Sequence, residues 1–342
     1  AYYGRGEDSA ELFSALRIHT DKSFREHLNQ YDVIRINMQE FLSAAPDMDE
    51  MLKLLQKRIL RELKMQYPDY IDSDYLVFAM QDVFAYTRHP FVILIDEWDC
   101  IFREFKQNME AQKKYLDFLR VWLKDQEYVA LAYMTGILPV KKYGSHSALN
   151  MFMEYSMINP REMAEFFGFT EEEVRELCGK YNRDFSSVKQ WYDGYILAND
   201  GTFYSVYNPK AVVNVMLWGE FQSYWSQTGS FETIEQYINR NIDGLKDTVI
   251  AMLSGDDARV NVTLFRNDLD ERSLKSKEDI LTFLIHLGYL AYNPIWKTVY
   301  IPNEEIRQEF VNATADRGWS ELQQFEIESI SLLEATLDIG PQ

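Results

Sequence analysis

The sequence predicts an α/β fold in its first half, followed by a mainly helical region and a small segment of helix and β-ribbon. Three observations carry this. Residues 91–96 (FVILID) place five consecutive apolar residues, three of them β-branched, directly before an acid, which is how a strand buried on both faces of a parallel sheet reads. Residues 32–38 and 128–136 are two further β-rich runs with helical stretches between them, so strand and helix alternate as in βαβ units. Beyond Pro160 that alternation stops, and a capping box, turn dipeptides and aromatic-rich short runs take over.

The elements follow in order. Residues 1–6 (AYYGRG) read as the last turn of a helix closed by a glycine, and a new helix starts over 11–16. Residues 48–67 have apolar positions at helical spacing through Met51, Leu54, Leu55, Ile59, Leu60 and Leu63. A second helix over 75–86 is stopped by Arg88-His89-Pro90. Another covers 112–124, with Tyr115, Phe118, Leu119 and Trp122 on one face, before a second buried strand that ends in Thr135-Gly136. Residues 155–158 are expected to form a last short strand. Further on, Thr170 and Glu173 form a capping box that opens a helix. Asp193-Gly194 and Asp200-Gly201 mark turns of a hairpin element over 191–208. Pro209 starts a helix at its first position, and the chain is expected to stay helical to about residue 253. Residues 278–310 read as a helix followed by a two-stranded ribbon, the pattern of a winged helix, and a last helix is expected over 319–339.

Composition narrows the function. A chain of 342 residues accommodates two or three domains, at roughly 150 residues each. The 35 basic and 54 acidic side chains leave a net charge of −19, which argues against extended phosphate tracking. Within 279–310 only Lys297 and Arg307 face four acids, so nucleic acid is not the expected partner of the ribbon either. Cys100 and Cys178 are too few and too far apart for a disulfide framework and suit a reducing cytosol. No apolar run approaches the roughly 20 residues of a membrane span. The expected setting is cytoplasmic.

Chemistry points to residues 96–99. In open α/β sheets the ligand crevice lies off the carboxyl ends of the strands, where Asp96 and Glu97 stand. This is the pattern of a Walker B strand, whose first acid helps hold Mg²⁺ while the second orients and deprotonates the attacking water. The stretch alone fits equally a buried strand that ends in two solvated acids.

Five stretches extend the pattern: FVILIDEWDC at 91–100, YMTGILPVKKYGSHSALNMFMEYSM at 133–157, EFFGFTEEEV at 165–174, WYDGY at 191–195 and VYNPKAVVNV at 206–215. In this order they resemble the bacterial AAA-ATPase-like family, whose members usually carry a C-terminal PD-(D/E)XK-type nuclease domain. The resemblance implies a parallel sheet of the additional-strand P-loop NTPase type over 1–160, a lid-like helical region over 161–255, a winged-helix-like segment over 256–315, and a helix or linker over 316–342. It implies ATP and Mg²⁺ as ligands. Asp96 would be the acid on the Mg²⁺ side, Glu97 the catalytic base and Thr135 the polar sensor of the γ-phosphate. Asp99 matches a further acid that positions Glu97 or the metal, with helix capping an equal alternative. Lys141 and Lys142 would contact phosphates or an adjoining subunit, or form a solvated turn. A homo-oligomer or a protein partner is implied as well.

Two departures qualify the resemblance. A phosphate-binding loop needs Gly-x-x-x-x-Gly-Lys-Ser/Thr, whose N–H groups wrap the phosphates; the chain's one Gly-Lys pair, Gly179-Lys180, precedes Tyr181 in a helical region. The acid-x-Lys pairs Glu62-Leu63-Lys64 and Glu104-Phe105-Lys106 lie in the wrong order or on a helix for a nuclease. The expectation is therefore a middle portion of such an ATPase, inactive without its loop; the alternative is a non-catalytic interaction or regulatory module. In this ATPase class the loop-bearing strand lies beside the sensor strand. The sheet is accordingly expected to be incomplete, with unpaired edges that favour self-association.

Overall fold

Residues 1–6 do not form the expected helical turn. They run beside Tyr31, with a parallel bridge from Gly4 to Tyr31 and a 2.8 Å bond from the Arg5 N–H to the Tyr31 carbonyl. Tyr2 packs against Phe13 and Phe24, and Tyr3 against Tyr31; burying these rings outweighs a single isolated turn, whose nucleation is unfavourable. The Arg5 guanidinium then reaches Asp32 at 2.8 Å and also bonds Tyr67 and His89, tying the segment to the base of the sheet. The computed structural model describes residues 1–105, 108–137, 149–225, 238, 241–264, 274 and 276–315. The chain divides into two compact units, the first spanning Ala1–Met153 and the second beginning at Glu154.

In the first unit, two short helices, α1 (Ala10–Phe13) and α2 (Phe24–His27), lead to strand β1 (Asp32–Asn37). Asn37 caps α3 (Met38–Ser43) by accepting from the Gln39 N–H at 3.0 Å. Asp47 likewise caps α4 (Met48–Gln66), which buries Met48, Met51, Leu55, Ile59 and Leu63 along one stripe and leaves Leu54 off it. Helix α5 (Leu76–Thr87) ends at Arg88 in a left-handed conformation, two residues before Pro90. Strand β2 (Phe91–Asp96) follows, then α6 (Cys100–Glu104), α7 (Met109–Leu123) and β3 (Val129–Met134).

The three strands form a parallel sheet in the order β1-β2-β3. Register sets Asn37 opposite Asp96 and Ile95 opposite Met134, so all three carboxyl ends meet at one rim. β2 is buried as its composition demands: Phe91, Val92, Ile93 and Ile95 are closed off from solvent. Trp122, Tyr115 and Leu119 from α7 pack in the same core as Met80 and Val83 from α5. Tyr115 and Tyr128 satisfy their hydroxyls on the backbone carbonyls of Trp98 and Trp122, which lets large rings be buried without an unpaired polar atom.

β3 departs from expectation. Its apolar run predicts a buried strand, yet Leu131 is 37% and Tyr133 45% exposed, because β3 pairs only with β2 among the described residues. Residues 155–158 form no strand; Ser156 and Asn159 close a tight turn through reciprocal backbone bonds.

The second unit begins with a 3₁₀ turn over Arg161–Phe166 and the short β4 (Phe169–Thr170). The capping box of Thr170 and Glu173 opens α8 (Glu171–Tyr181), and α9 (Phe185–Tyr192) is capped by Asp184. β5 (Tyr195–Asn199) and β6 (Thr202–Tyr207) pair antiparallel around Asp200-Gly201, both at positive φ, as a two-residue hairpin turn requires. Asp193-Gly194 is not a hairpin turn. Gly194 has φ +109 and lies so near the Pro302 carbonyl that an added Cβ would sit 1.9 Å from its oxygen, so no other residue fits there.

Pro209 does begin a helix, α10 (Pro209–Trp218), but Gly219 ends it in a left-handed conformation. Helical continuity to residue 253 is therefore broken at Gly219; further on, Leu245–Leu253 forms α11. β7 (Ala258–Arg259), α12 (Lys277–His286), β8 (Ala291–Asn293) and β9 (Thr298–Tyr300) precede α13 (Glu304–Ala315), and the strands pair antiparallel in the order β7-β9-β8. The helix expected over 319–339 lies outside the described residues. Among the described residues no helix is long and apolar enough to cross a membrane.

Candidate functional site at the carboxyl rim of the parallel sheet

The rim is created by a sharp turn at the end of β2. Glu97 sits at φ +53, a left-handed conformation that costs a non-glycine residue about 1 kcal/mol or more. Hydrogen bonds hold it there. The Glu97 N–H donates to Asp96 Oδ1 at 3.0 Å, and the Cys100 N–H donates to the Glu97 carbonyl at 3.1 Å, starting α6. Bonds from the Thr135 N–H to the Ile95 carbonyl (2.9 Å) and from the Trp98 N–H to the Thr135 carbonyl (3.1 Å) carry the β2–β3 ladder past the strand ends.

This brings Asp96 and Thr135 together. Thr135 Oγ1 donates to Asp96 Oδ1 at 2.7 Å, across 39 residues of sequence. Asp96 is exposed, and its Oδ2 has no partner among the described residues. Glu97 is paired with the Arg103 guanidinium from α6. Asp99 is fully buried. Its side chain does not cap α6; Oδ2 accepts from the Ile137 N–H at 3.2 Å and lies 3.7 Å from Arg103 Nε. Lys141 and Lys142 fall outside the described residues.

Beneath the rim the packing is tight. A Cβ on Gly136 would sit 2.5 Å from Asp99 Oδ1 and 2.6 Å from Trp98 Cδ1. Trp98 is buried against Phe102, with its carbonyl held by the Tyr115 hydroxyl, and has little room to yield. Gly136→Ala is expected to destabilise the first unit by about 1–3 kcal/mol through overpacking; thermal unfolding indistinguishable from the parent would refute this. Cys100, at the start of α6, is inert: burial pushes its thiol up to about 12.

Three contributors were not singled out as site residues from the sequence. Asn37 comes to the rim through strand register alone. Gly136 matters because of its packing. Arg103 had a local signal, standing four residues after Asp99 at the spacing of helical ion pairs.

The rim fits a hard divalent cation in a limited way. Mg²⁺ accepts one or two carboxylates and takes its remaining oxygens from phosphates and water. Asp96 Oδ2 could supply one such ligand, and no group of three His, Cys, Asp or Glu able to hold a metal occurs among the described residues.

Comparison with known proteins gives the class this first unit is similar to. A family model described as a predicted AAA-ATPase, of the AAA-ATPase-like type, matches residues 1–145. A curated relative from Azotobacter chroococcum mcd 1, described as an uncharacterized protein in the vnfD 5' region, is 30% identical over 148 residues, which is 41% of this chain and 27% of that protein. The chain thus spans about a quarter of the length of the curated relative it matches. No solved structure matches.

Proposed function

We propose that the protein binds and hydrolyses ATP at the rim of β2 and β3, as an ATPase of the additional-strand P-loop type. The observation that carries this is the 2.7 Å bond between Thr135 Oγ1 and Asp96 Oδ1, which puts a hydroxyl from the next strand against the first of two acids at the carboxyl edge of a parallel sheet. Asp96 would hold magnesium through Oδ2, which has no partner among the described residues. When bound, magnesium supplies positive charge that offsets the charge on the phosphate oxygens. Glu97 accepts the proton of the attacking water once its carboxylate is released from Arg103. Thr135 can turn its hydroxyl from Asp96 to a phosphate oxygen, and Lys141 is assigned to the phosphates on resemblance alone.

This reading requires a phosphate-wrapping loop, which these 342 residues do not contain. The one-sided pairing of β3 among the described residues leaves a place for a further strand beside it. In the same reading residues 1–160 form the nucleotide core, 161–255 a lid-like region and 256–315 a winged-helix-like segment in the cytoplasm. The order β7-β9-β8, with α12 between β7 and β8 in the chain, supports that last assignment.

The test is steady-state ATP turnover with magnesium by the whole protein. Thr135→Ala is expected to lower kcat about 10²-fold, the cost of one preorganised donor, with KM for ATP little changed. Equal kcat in the two proteins would remove Thr135 from the reaction.

A second reading, a non-catalytic protein-interaction module, is favoured by one feature. Ile295 and Trp296, at the turn between β8 and β9, are 60% and 72% exposed, an anchor suited to a protein surface rather than to phosphates. Retained partner capture in a protein without any ATP turnover would favour it.

A further inference from the structure

We infer that Arg103 is a positioning residue that exchanges partners, holding Glu97 in the arrangement described and passing to Asp99 when Glu97 turns toward the nucleotide. The inference rests on the reading of Glu97 as the base. Its basis is one guanidinium between two acids. Nη2 is bonded to Glu97 Oε2, while Nε stands 3.7 Å from Asp99 Oδ2.

The guanidinium engages one oxygen of Glu97, Oε2, and so fixes the direction in which that carboxylate points. For Glu97 to turn toward the nucleotide that hold has to loosen, and releasing an ion pair normally strands a charge. Here the second partner already waits. Shortening 3.7 Å to an ordinary charge-assisted bond of about 2.8 Å takes a movement of about 1 Å. Asp99 is the deeper of the two acids, fully buried where Glu97 is partly exposed, so the exchange moves the guanidinium toward the acid for which a close counter-charge matters more.

Asp99 also links the exchange to the neighbouring strand. Its Oδ2 accepts from the Ile137 N–H, two residues after Thr135, whose hydroxyl rests on Asp96. A shift of this segment when Thr135 leaves Asp96 for a phosphate oxygen would reach the carboxylate that receives Arg103.

Two measurements on the whole protein test this. In nucleotide-free protein, the melting-temperature losses of Glu97→Gln and Arg103→Gln should be non-additive by about 2–4 °C, and full additivity would overturn the contact. In magnesium ATP turnover, Asp99→Asn keeps an acceptor for the Ile137 N–H but removes the receiving charge. It should trap Arg103 on Glu97 and lower kcat about tenfold with KM unchanged. Adding Arg103→Gln to Asp99→Asn should restore kcat to within about threefold of the parent, a rescue that a purely structural role cannot produce. An active parent with no rescue overturns the exchange alone. A parent that binds ATP but never turns it over overturns the ATPase reading, and the exchange with it.

Discussion

On the proposed ATPase reading, Glu97→Gln is expected to lower ATP turnover by about 10²–10⁴-fold, the usual contribution of a general base, while leaving nucleotide affinity within about twofold. The amide keeps the size of the side chain and an acceptor for Arg103, so the turn at φ +53 and the start of α6 persist. What it loses is the capacity to take a proton. In that reading the contacts assigned to binding survive: Asp96 Oδ2, which has no partner among the described residues, and the Thr135 hydroxyl. Because the Glu97–Arg103 pair is partly exposed, the stability cost should stay at or below about 1 kcal/mol. Phosphate release and binding of a fluorescent nucleotide, measured on the same preparation, separate the two effects. Turnover equal to that of the parent would mean that another group is the base.

The second large effect lies in the second unit and concerns pH. Glu305 on α13 is 1% exposed, and burial pushes its carboxyl up to about 7 from an ordinary 4.5. The Tyr224 N–H, donating to Oε1 at 2.8 Å, pulls in the opposite direction. Glu309, one turn along α13 and bonded by the Ser223 hydroxyl, raises it further, and Lys210 on α10 lowers it slightly. The folded state therefore holds a proton that the unfolded chain has released. Stability from this group is complete below pH 4.5 and is lost as pH rises through about 7.

Glu305→Gln abolishes that loss, since a neutral amide still accepts from Tyr224. At pH 8 the variant is expected to be more stable than the parent by about 3 kcal/mol, from 1.36 kcal/mol per unit of separation, and at pH 4 the two should nearly coincide. His286 acts in the other direction: burial holds it down to about 4 from 6.5, so its contribution grows as pH rises through that window. Comparing the two proteins at each pH cancels it. Urea unfolding from pH 4 to 8 provides the check, and parallel stability curves would rule out Glu305 as the source.

Much of the fold is legible where the determining signal lies within four residues of its effect. The spacing of Met51, Leu55, Ile59 and Leu63 defines the buried stripe of α4, Asp47 marks its start, and Thr170 with Glu173 caps α8. Asp200-Gly201 closes the β5–β6 hairpin, and the apolar run of β2 delivers Asp96 to a strand end. Local preference gives way where distant partners compete with it. Residues 1–6 have a helix-closing glycine but gain more from Tyr31, Phe13 and Phe24. β3 has the composition of a buried strand, yet burial needs neighbours on both sides and β3 pairs on one among the described residues.

The sequence by itself determined the chemistry at the end of β2, two adjacent acids behind a run of residues that must be buried, because strand periodicity and apolar burial act over a few consecutive positions. Only the tertiary structure decided which groups those acids meet. Thr135 on Asp96, Arg103 between Glu97 and Asp99, and Gly136 against Trp98 all depend on how parallel strands register and where α6 leaves the sheet. Those distances are set by packing the whole unit, and no short stretch of chain contains them.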